Sequence, residues 1–236
     1  MKRLSVCMAT YNGALFIEEQ VKSILSQLSL DDELIVSDDG SSDTTLAIIE
    51  SFNDSRIRIV PSRRYKSTAK NFENSLRYAE GNFIILSDQD DIWYPNKIDA
   101  VLGILVDYDL VLTDCRVVDN KGKTMYDSFF NIRKSQLGFC KNLWKNSYMG
   151  CCMAFKRNVL NYVLPFPEHI YYHDWWIGLM VELKGKPYLY NQPLIYYRRH
   201  GANMTPTGEG SHQWSLRLKH RFWLSWYILK RMMVSY

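Results

Sequence analysis

The sequence predicts an α/β fold, a mixed but mostly parallel central sheet flanked by helices, followed by an amphipathic helical tail. Three observations predict it. Short apolar runs alternate with one-sided helical stripes through the first hundred residues. Each run ends in a polar or acidic loop, and ligands of such sheets bind beyond the C-terminal strand ends. The residues after Gly210 then change character, with aromatic and basic side chains but no Asp or Glu.

The elements follow in order. Leu4 to Met8 is a short apolar run that ends at Thr10-Tyr11-Asn12-Gly13, a buried strand and its loop. Ala14 to Gln27 carries Phe16, Ile17, Val21, Ile24 and Leu25 on one stripe, with Leu28 following. Glu33 to Ser37 is a second strand, ending at Asp38-Asp39-Gly40-Ser41-Ser42-Asp43. Ser42 or Asp43 there caps a helix from Thr44 to Phe52. Arg56 to Val60 is a third strand. Ser67 to Glu80 is a helix with Phe72, Leu76 and Ala79 inward, closed by Gly81. Asn82 to Ser87 is a fourth strand that runs into Asp88-Gln89-Asp90-Asp91. Beyond Pro95 the spacing predicts a helix over Lys97 to Val106 and a strand over Leu110 to Val118. A hairpin turn at Asn120 to Lys123 and a strand-like stretch from Tyr148 to Phe155 come next. His173 to Leu183 is helical, with Trp176, Leu179, Met180 and Leu183 on one side, and Leu194 to Arg199 is a final strand.

Composition bounds the function. The chain has 236 residues, 47% of them hydrophobic and 23% charged, which excludes collagen, coiled coil and wholesale disorder. No internal repeat or low-complexity linker interrupts it, so residues 1–210 read as one α/β body and 211–236 as the tail. The net charge is +4, yet the tail alone holds Arg217, Lys219, Arg221, Lys230 and Arg231. A body without that basic excess argues against nucleic acid as a partner. Five cysteines form no CxxC pair and read as reduced, buried thiols of a cytoplasmic protein. The apolar run after Met1-Lys2-Arg3 is too short for a leader, and no stretch reaches the roughly 18–20 apolar residues of a membrane span.

Asp88-Gln89-Asp90-Asp91 packs three carboxylates into four residues after a hydrophobic strand. Such close like charges ionise reluctantly unless a cation sits among them. A hard divalent metal bound by one or two carboxylates and by substrate phosphates resolves the conflict. A solvated acidic turn, with Asp91 capping a helix, explains the same residues. Asp38 and Asp39 bring a second acidic cluster to the same sheet edge. Asp39 could accept from a base N–H and Thr10-Tyr11-Asn12 could cradle base and ribose; an Asx turn closed by Gly40 is the simpler alternative.

Met8 to Gly13, Val36 to Asp43 and Leu86 to Trp93, in that order and at that spacing, resemble the family 2 glycosyltransferases of the GT-A fold. With the downstream segments the resemblance covers about residues 3 to 205. It implies a nucleotide-sugar donor and a Mg²⁺ or Mn²⁺ ion held by a D-x-D motif, here Asp88-Gln89-Asp90. Asp90 matches the carboxylate that binds metal, Asp88 the one that faces donor sugar or ribose, and Asp39 the reader of the pyrimidine base. Asp174, in His173-Asp174-Trp175-Trp176, matches the general base; the family often has Glu where His173 stands. A helix N-terminal Asp favoured by the dipole is the alternative for Asp174. Trp175 and Trp176 are candidate acceptor-stacking residues or core. Gly150, in Tyr148 to Met153, matches a small-residue segment near the acceptor. His200 is the implied further metal ligand and Arg199, or its neighbour Arg198, the implied diphosphate partner.

The wording of Ser87 to Lys97 and of His173 to Trp176 is most similar to bacterial rhamnosyltransferases of polysaccharide and O-antigen assembly. That implies an inverting transfer from dTDP-β-L-rhamnose to a saccharide acceptor, with a UDP-hexose as the competing donor. Trp214, Leu218, Phe222, Trp226, Leu229 and Met233 recur every three or four residues along the tail. Beside its basic residues this reads as a helix lying on anionic lipid, next to a polyprenyl-diphosphate-linked acceptor on the inner face of the membrane. Docking on the body and a dimer contact are the alternatives. A nucleotidyltransferase would need a basic Gly-rich loop that Thr10 to Gly13 lacks. A non-catalytic nucleotide-binding scaffold remains the non-enzymatic rival.

Overall fold

A computed structural model describes residues 2–200 and 214–233. The first half alternates strand and helix: β1 (Leu4–Thr10), α1 (Ile17–Leu25), β2 (Asp32–Asp38), α2 (Thr45–Ser51), β3 (Ile57–Ile59), α3 (Thr68–Arg77) and β4 (Phe83–Ser87). The second half holds β5 (Ile92–Trp93), α4 (Lys97–Ile104), β6 (Leu110–Asp119), β7 (Thr124–Tyr126), α5 (Phe129–Arg133) and α6 (Phe139–Trp144). It continues with β8 (Met153–Lys156), α7 (Leu160–Val163), α8 (His173–Lys184), β9 (Pro187–Arg199) and α9 (Trp214–Met233).

Among the described residues the strands form one sheet in the order β3-β2-β1-β4-β8-β6-β9-β5, with β7 paired to β6. Strands β3, β2, β1 and β4 are parallel, as are β6 and β9. The pairs β4–β8, β6–β8, β6–β7 and β5–β9 are antiparallel, so the sheet is mixed as expected. All seven residues of β2 are buried, and β1 is nearly so, because helices cover both faces. This is why these strands read as unbroken apolar runs rather than alternating ones.

Three sequence expectations need correction. Tyr148 to Phe155 is a strand only from Met153; Gly150–Cys152 is a 3₁₀ turn, closed by Cys152 N–H donating to the Met149 carbonyl (3.0 Å). Leu183 lies on the exposed side of α8. The last strand begins at Pro187, before the expected Leu194. Its pairing with β6 jumps from Thr113↔Tyr190 to Asp114↔Pro193, a bulge at a proline that has no N–H for the ladder. The second half also holds small elements that the sequence did not announce: β5 has two residues, and α5 and α6 are single short turns that carry no periodic stripe of their own.

The tail docks on the body, the alternative to lipid named above, and keeps an apolar face outward as well. Leu224 and Ile228 of α9 join the main core cluster. The Arg231 guanidinium donates to the carbonyls of Tyr162 (2.9 Å), Leu164 (3.0 Å) and Pro165 (2.6 Å). Arg221 donates to the Trp144 carbonyl at 2.5 Å. Phe222, Trp226, Leu229 and Met233, the stripe read from the sequence, stay exposed. No helix among the described residues is long and apolar enough to cross a membrane. The loop from Gly201 to Gly210 lies outside the described residues.

Candidate active site

The parallel register of β2, β1 and β4 sets their C-terminal loops side by side. Hydrogen bonds then fuse them into one rim. Thr10 Oγ1 donates to Asp38 Oδ2 (2.8 Å), and the Thr10 carbonyl accepts from Asp39 N–H (2.9 Å) and from Asn71 Nδ2 (3.1 Å). Asp38 Oδ1 accepts from Gly40 N–H (3.0 Å), the Asx turn named as an alternative, with Gly40 at φ +81°. Asn12 sits at φ +48°; its N–H donates to Ser41 Oγ and its Oδ1 accepts from Ser42 N–H, each at 2.8 Å. Asp43 Oδ1 accepts from Thr45 N–H (3.0 Å) and so caps α2.

Gln89, between the two aspartates of the D-x-D motif, clips the first loop to the third. Its Oε1 accepts from Tyr11 N–H (2.9 Å) and its Nε2 donates to the Tyr11 carbonyl (3.0 Å). A Cβ at Gly13 would stand 2.3 Å from Gln89 Oε1, so any larger residue there would displace the Gln89 amide from this clip. The sequence reading gave Gln89 no role, because its partner lies 78 residues away.

Asp39 is buried. Its Oδ1 accepts from the N–H groups of Tyr65 and Lys66 (3.1 Å to the latter), and its Oδ2 from Ser67 N–H (3.2 Å). The carboxylate thus organises the loop before α3. Tyr11 is exposed at the rim, with the Arg64 guanidinium 5.9 Å from its ring centre. The side chains of Thr10 and Asn12 are committed to the neighbouring loop, so what they offer a ligand is a shaped backbone.

The antiparallel pairing Ile92↔Tyr196 runs β9 back along the acidic loop. Asp90 therefore meets the end of β9, and His200 Nε2 lies 2.7 Å from Asp90 Oδ2. The imidazole stacks on Phe16 at 4.7 Å. Arg198 is buried: its Nε donates to the Asp90 carbonyl (3.2 Å), its N–H to Asp91 Oδ1 (3.2 Å), and its guanidinium pairs with Glu19 at 2.5 Å. It holds the acidic loop in place, and the half-buried Arg199 follows it at the end of β9.

Asp88 opens partly to the cleft but is otherwise walled by protein. Desolvation first, then the charges of Asp90 and Asp174, push its carboxyl up to about 8. Two donor sets compete for a cation. The ligand atoms of Asp88, Asp91 and Cys151 all lie within 4.8 Å of one another. Cys151 is fully buried, however, and its thiol is held well above the ordinary range by its bond to Cys152 and by burial, so it keeps its proton. Asp90 and His200 each retain 14% exposure and present an oxygen and a nitrogen at the cleft, which fits a divalent cation better. Behind the loop, Lys97 is buried, with Nζ 2.9 Å from the Cys151 carbonyl and 4.1 Å from the Trp93 ring centre. Burial pulls its ammonium down to about 8.

Asp174 stands in the first turn of α8. Its Oδ1 accepts from Trp175 N–H at 2.7 Å, and the Gly150 N–H also favours its ionised form. Desolvation outweighs these bonds and the Arg133 charge, and lifts its carboxyl to about 7. His173 is buried against Phe72 (rings 4.2 Å apart), and burial drives it down to about 3, so it is neutral.

Three acceptor expectations change. A Cβ on Gly150 would stand 2.7 Å from His173 Nε2, so the close approach this glycine permits is by His173. Trp176 is fully buried, with its indole N–H on the Val163 carbonyl (2.9 Å), and offers no face to a sugar. Trp175 is buried too; its indole N–H donates to the Asn142 carbonyl (2.8 Å) and its ring lines a small cavity beneath α9. Both indoles anchor α8 instead.

The family model for glycosyl transferase family 2 matches residues 5–164. The dTDP-rhamnosyl transferase RfbG of Shigella flexneri is 31% identical over 83% of this chain and 72% of its own. The UDP-Glc:alpha-D-GlcNAc-diphosphoundecaprenol beta-1,3-glucosyltransferase WfgD of Escherichia coli is 30% identical over 73% of this chain and 68% of its own. Among solved structures, the mannosyltransferase PcManGT of Pyrobaculum calidifontis, in complex with GDP-Man and Mn²⁺, shares the fold with a TM-score of 0.65 at 22% identity. That match covers 95% of this chain and 64% of the PcManGT chain, less than two thirds of it. The family match over most of the body, the two relatives and the mixed sheet with its rim of loops make this chain a member of glycosyl transferase family 2, with the GT-A architecture.

Proposed function

We propose that the protein is an inverting, metal-dependent transferase that moves L-rhamnose from dTDP-β-L-rhamnose to a saccharide on a polyprenyl diphosphate. The observation that carries the reading is electrostatic. The Asp88 carboxyl is raised by the charges of both Asp90 and Asp174, which supports a shared location for the candidate metal ligand and the candidate base although 84 residues separate them in the chain.

In the proposed step Asp174 accepts the proton of an acceptor hydroxyl as that oxygen forms its bond to the anomeric carbon. The bond from that carbon to the diphosphate oxygen breaks, and the nucleoside diphosphate leaves with the electron pair on the opposite face, which inverts the centre. A carboxyl near 7 suits a base at neutral pH, since it is half ionised there and still basic. Asp90 and His200 would hold a Mn²⁺ or Mg²⁺ ion, whose charge supports the departing diphosphate. Arg199 would add a second positive charge beside it. Tyr11, Asn12 and the loop ordered by Asp39 would form the nucleoside side, with Asp88 toward the sugar.

The rhamnose donor is favoured by RfbG, while WfgD favours a UDP-hexose. The acceptor class is supported by the diphosphoundecaprenol in the name of WfgD. The outward stripe of α9 supports work at an anionic, cytoplasmic membrane face. Phe222 is 64% exposed, Leu229 59% and the neighbouring Trp144 63%, and the basic tail contains no acid to repel lipid.

The test has two arms. Binding of Mn²⁺, followed by its electron paramagnetic resonance, is expected to weaken in Asp90→Ala and in His200→Ala. Transfer from dTDP-rhamnose and from UDP-glucose to a synthetic polyprenyl-diphosphate saccharide is expected to favour the first donor. Unaltered Mn²⁺ affinity in both variants contradicts the metal assignment, and a preference for UDP-glucose contradicts the donor.

A further inference from the structure

An open cavity of about 350 Å³ lies between α6 and α9. Cys140, Leu143 and Trp144 of α6 line one side, and Arg221, Phe222 and Ser225 of α9 the other. Its size falls in the range of roughly 300–1,000 Å³ that small-molecule sites occupy. Its walls are mainly apolar, and the exposed rings of Trp144 and Phe222 carry them out to the surface. Arg221 donates to the Trp144 carbonyl, with its guanidinium 4.9 Å from the Trp144 ring centre, so the two walls are tied together.

Both walls come from chain without acidic residues. Between Asp127 and Glu168 there is no Asp or Glu, and the part that forms α5 and α6 carries Arg133, Lys134, Lys141 and Lys145. The tail after Gly210 contains none either. Glu182 of α8 lies close to α6, but its Oε1 is spent on Tyr148 OH (2.7 Å), Asn142 Nδ2 (2.9 Å) and Gly138 N–H (3.0 Å). An apolar recess inside a basic, acid-free rim is complementary to an amphiphile with a hydrocarbon tail and an anionic head.

The cavity also adjoins the acceptor side of the candidate site. The carbonyl of Asn142, next to Leu143, accepts from the indole N–H of Trp175, next to Asp174 (2.8 Å). On the other side of α9 the His220 ring meets Tyr172, 6.0 Å away, two residues before Asp174. We infer that the cavity holds the start of the acceptor's polyprenyl chain, with its diphosphate at the basic rim of α6 and α9. This occupant presupposes the lipid-linked acceptor proposed above. A bilayer would meet the outward stripe of α9, whereas a recess walled on two sides admits a single chain.

The native cysteines give the test. Cys7, Cys115, Cys151 and Cys152 are buried, and Cys140 is exposed at the cavity, so alkylation of the folded full-length protein reports on Cys140. Farnesyl diphosphate below its micellar range is expected to slow that alkylation about threefold or more, because a bound chain covers the thiol. Inorganic diphosphate is expected to leave it unchanged. Ser225→Trp, which fills the cavity, and Phe222→Ser, which strips an exposed wall, are each expected to weaken farnesyl diphosphate binding about tenfold by calorimetry. Leu229→Glu, on α9 but outside the cavity lining, is expected to keep that binding while losing affinity for phosphatidylglycerol vesicles. Unslowed alkylation, equal protection by inorganic diphosphate, or unchanged affinity in both cavity variants overturns the assignment. Equal loss of farnesyl diphosphate binding in Leu229→Glu overturns it as well. Binding needs no turnover: protection without transfer refutes the proposed function and leaves the cavity, while transfer to the lipid-linked acceptor without protection refutes the cavity alone.

Discussion

Replacing Asp174 with Asn should make the protein more stable in alkali while slowing transfer steeply. Asp174 titrates near 7 in the folded chain, against 3.8 for an ordinary Asp. Between those values the folded state keeps a proton that the unfolded state has lost. Stability therefore falls as pH rises through this window, by about 1.4 kcal/mol per unit for one proton. From pH 5 to pH 7 that is about 3 kcal/mol, lessened where water reaches the half-buried carboxylate. Asn mimics the protonated acid and carries no such penalty. The assay is urea unfolding of wild type and Asp174→Asn at pH 5 and pH 8, with a chelator present. The quantity of interest is the change in their stability difference between the two pH values, because steric costs of the substitution cancel in it. A gain of about 1–3 kcal/mol for the variant at pH 8 is expected. The Asp88 carboxyl, raised partly by the Asp174 charge, should titrate lower in the variant and contributes to the same difference. A stability difference that does not change with pH refutes the claim that desolvation of this carboxyl outweighs its stabilising partners.

Further outcomes follow from single contacts. Gly13→Ala, which sets a Cβ 2.3 Å from Gln89 Oε1, should cost about 1–3 kcal/mol in denaturant midpoint and weaken donor binding measured by calorimetry. Lys97→Met leaves the Cys151 carbonyl without its buried ammonium donor, and thermal unfolding should register a loss of about 1–3 kcal/mol. On α9 the two faces should separate. Leu224→Ala should lower stability by about 2–5 kcal/mol. Phe222→Glu with Leu229→Glu should leave stability nearly unchanged but reduce co-sedimentation with anionic liposomes, and full retention on the liposomes would contradict the membrane reading.

Much of the frame was legible because its strands are buried on both faces. Runs such as Leu34-Ile35-Val36 can be recognised without a partner, and the loops that follow them are too polar to be core. The candidate site was legible to the extent that its acids follow such strands: Asp39, Asp88 and Asp90 all sit at strand ends. Gly-Cys-Cys-Met is apolar enough to pass for a strand, so the 3₁₀ turn at Gly150–Cys152 was hidden. Trp175 and Trp176 carry the same signal whether they stack on a sugar or fill the core, and only their carbonyl partners at Asn142 and Val163 separate the two. The roles of Gln89, Lys97 and Glu182, and the loop-holding role of Arg198, were hidden for a different reason. Each works through a bond to a residue tens of positions away, and nothing local to Lys97 announces that its ammonium will be buried against Cys151. On α9 the stripe through Phe222, Trp226 and Leu229 is regular and was read. The docking residues Leu224, Ile228 and Arg231 interleave with it and left no second period to detect.

The central claim, that Asp174 takes the proton of the attacking hydroxyl in the cleft it shares with Asp90, is tested most directly by single-turnover transfer in wild type and Asp174→Asn, with donor affinity measured on the same samples. The account predicts a transfer step slowed by about 10²–10⁴-fold, with donor affinity essentially unchanged. Transfer at the wild-type rate in Asp174→Asn, with the donor bound as before, would contradict it.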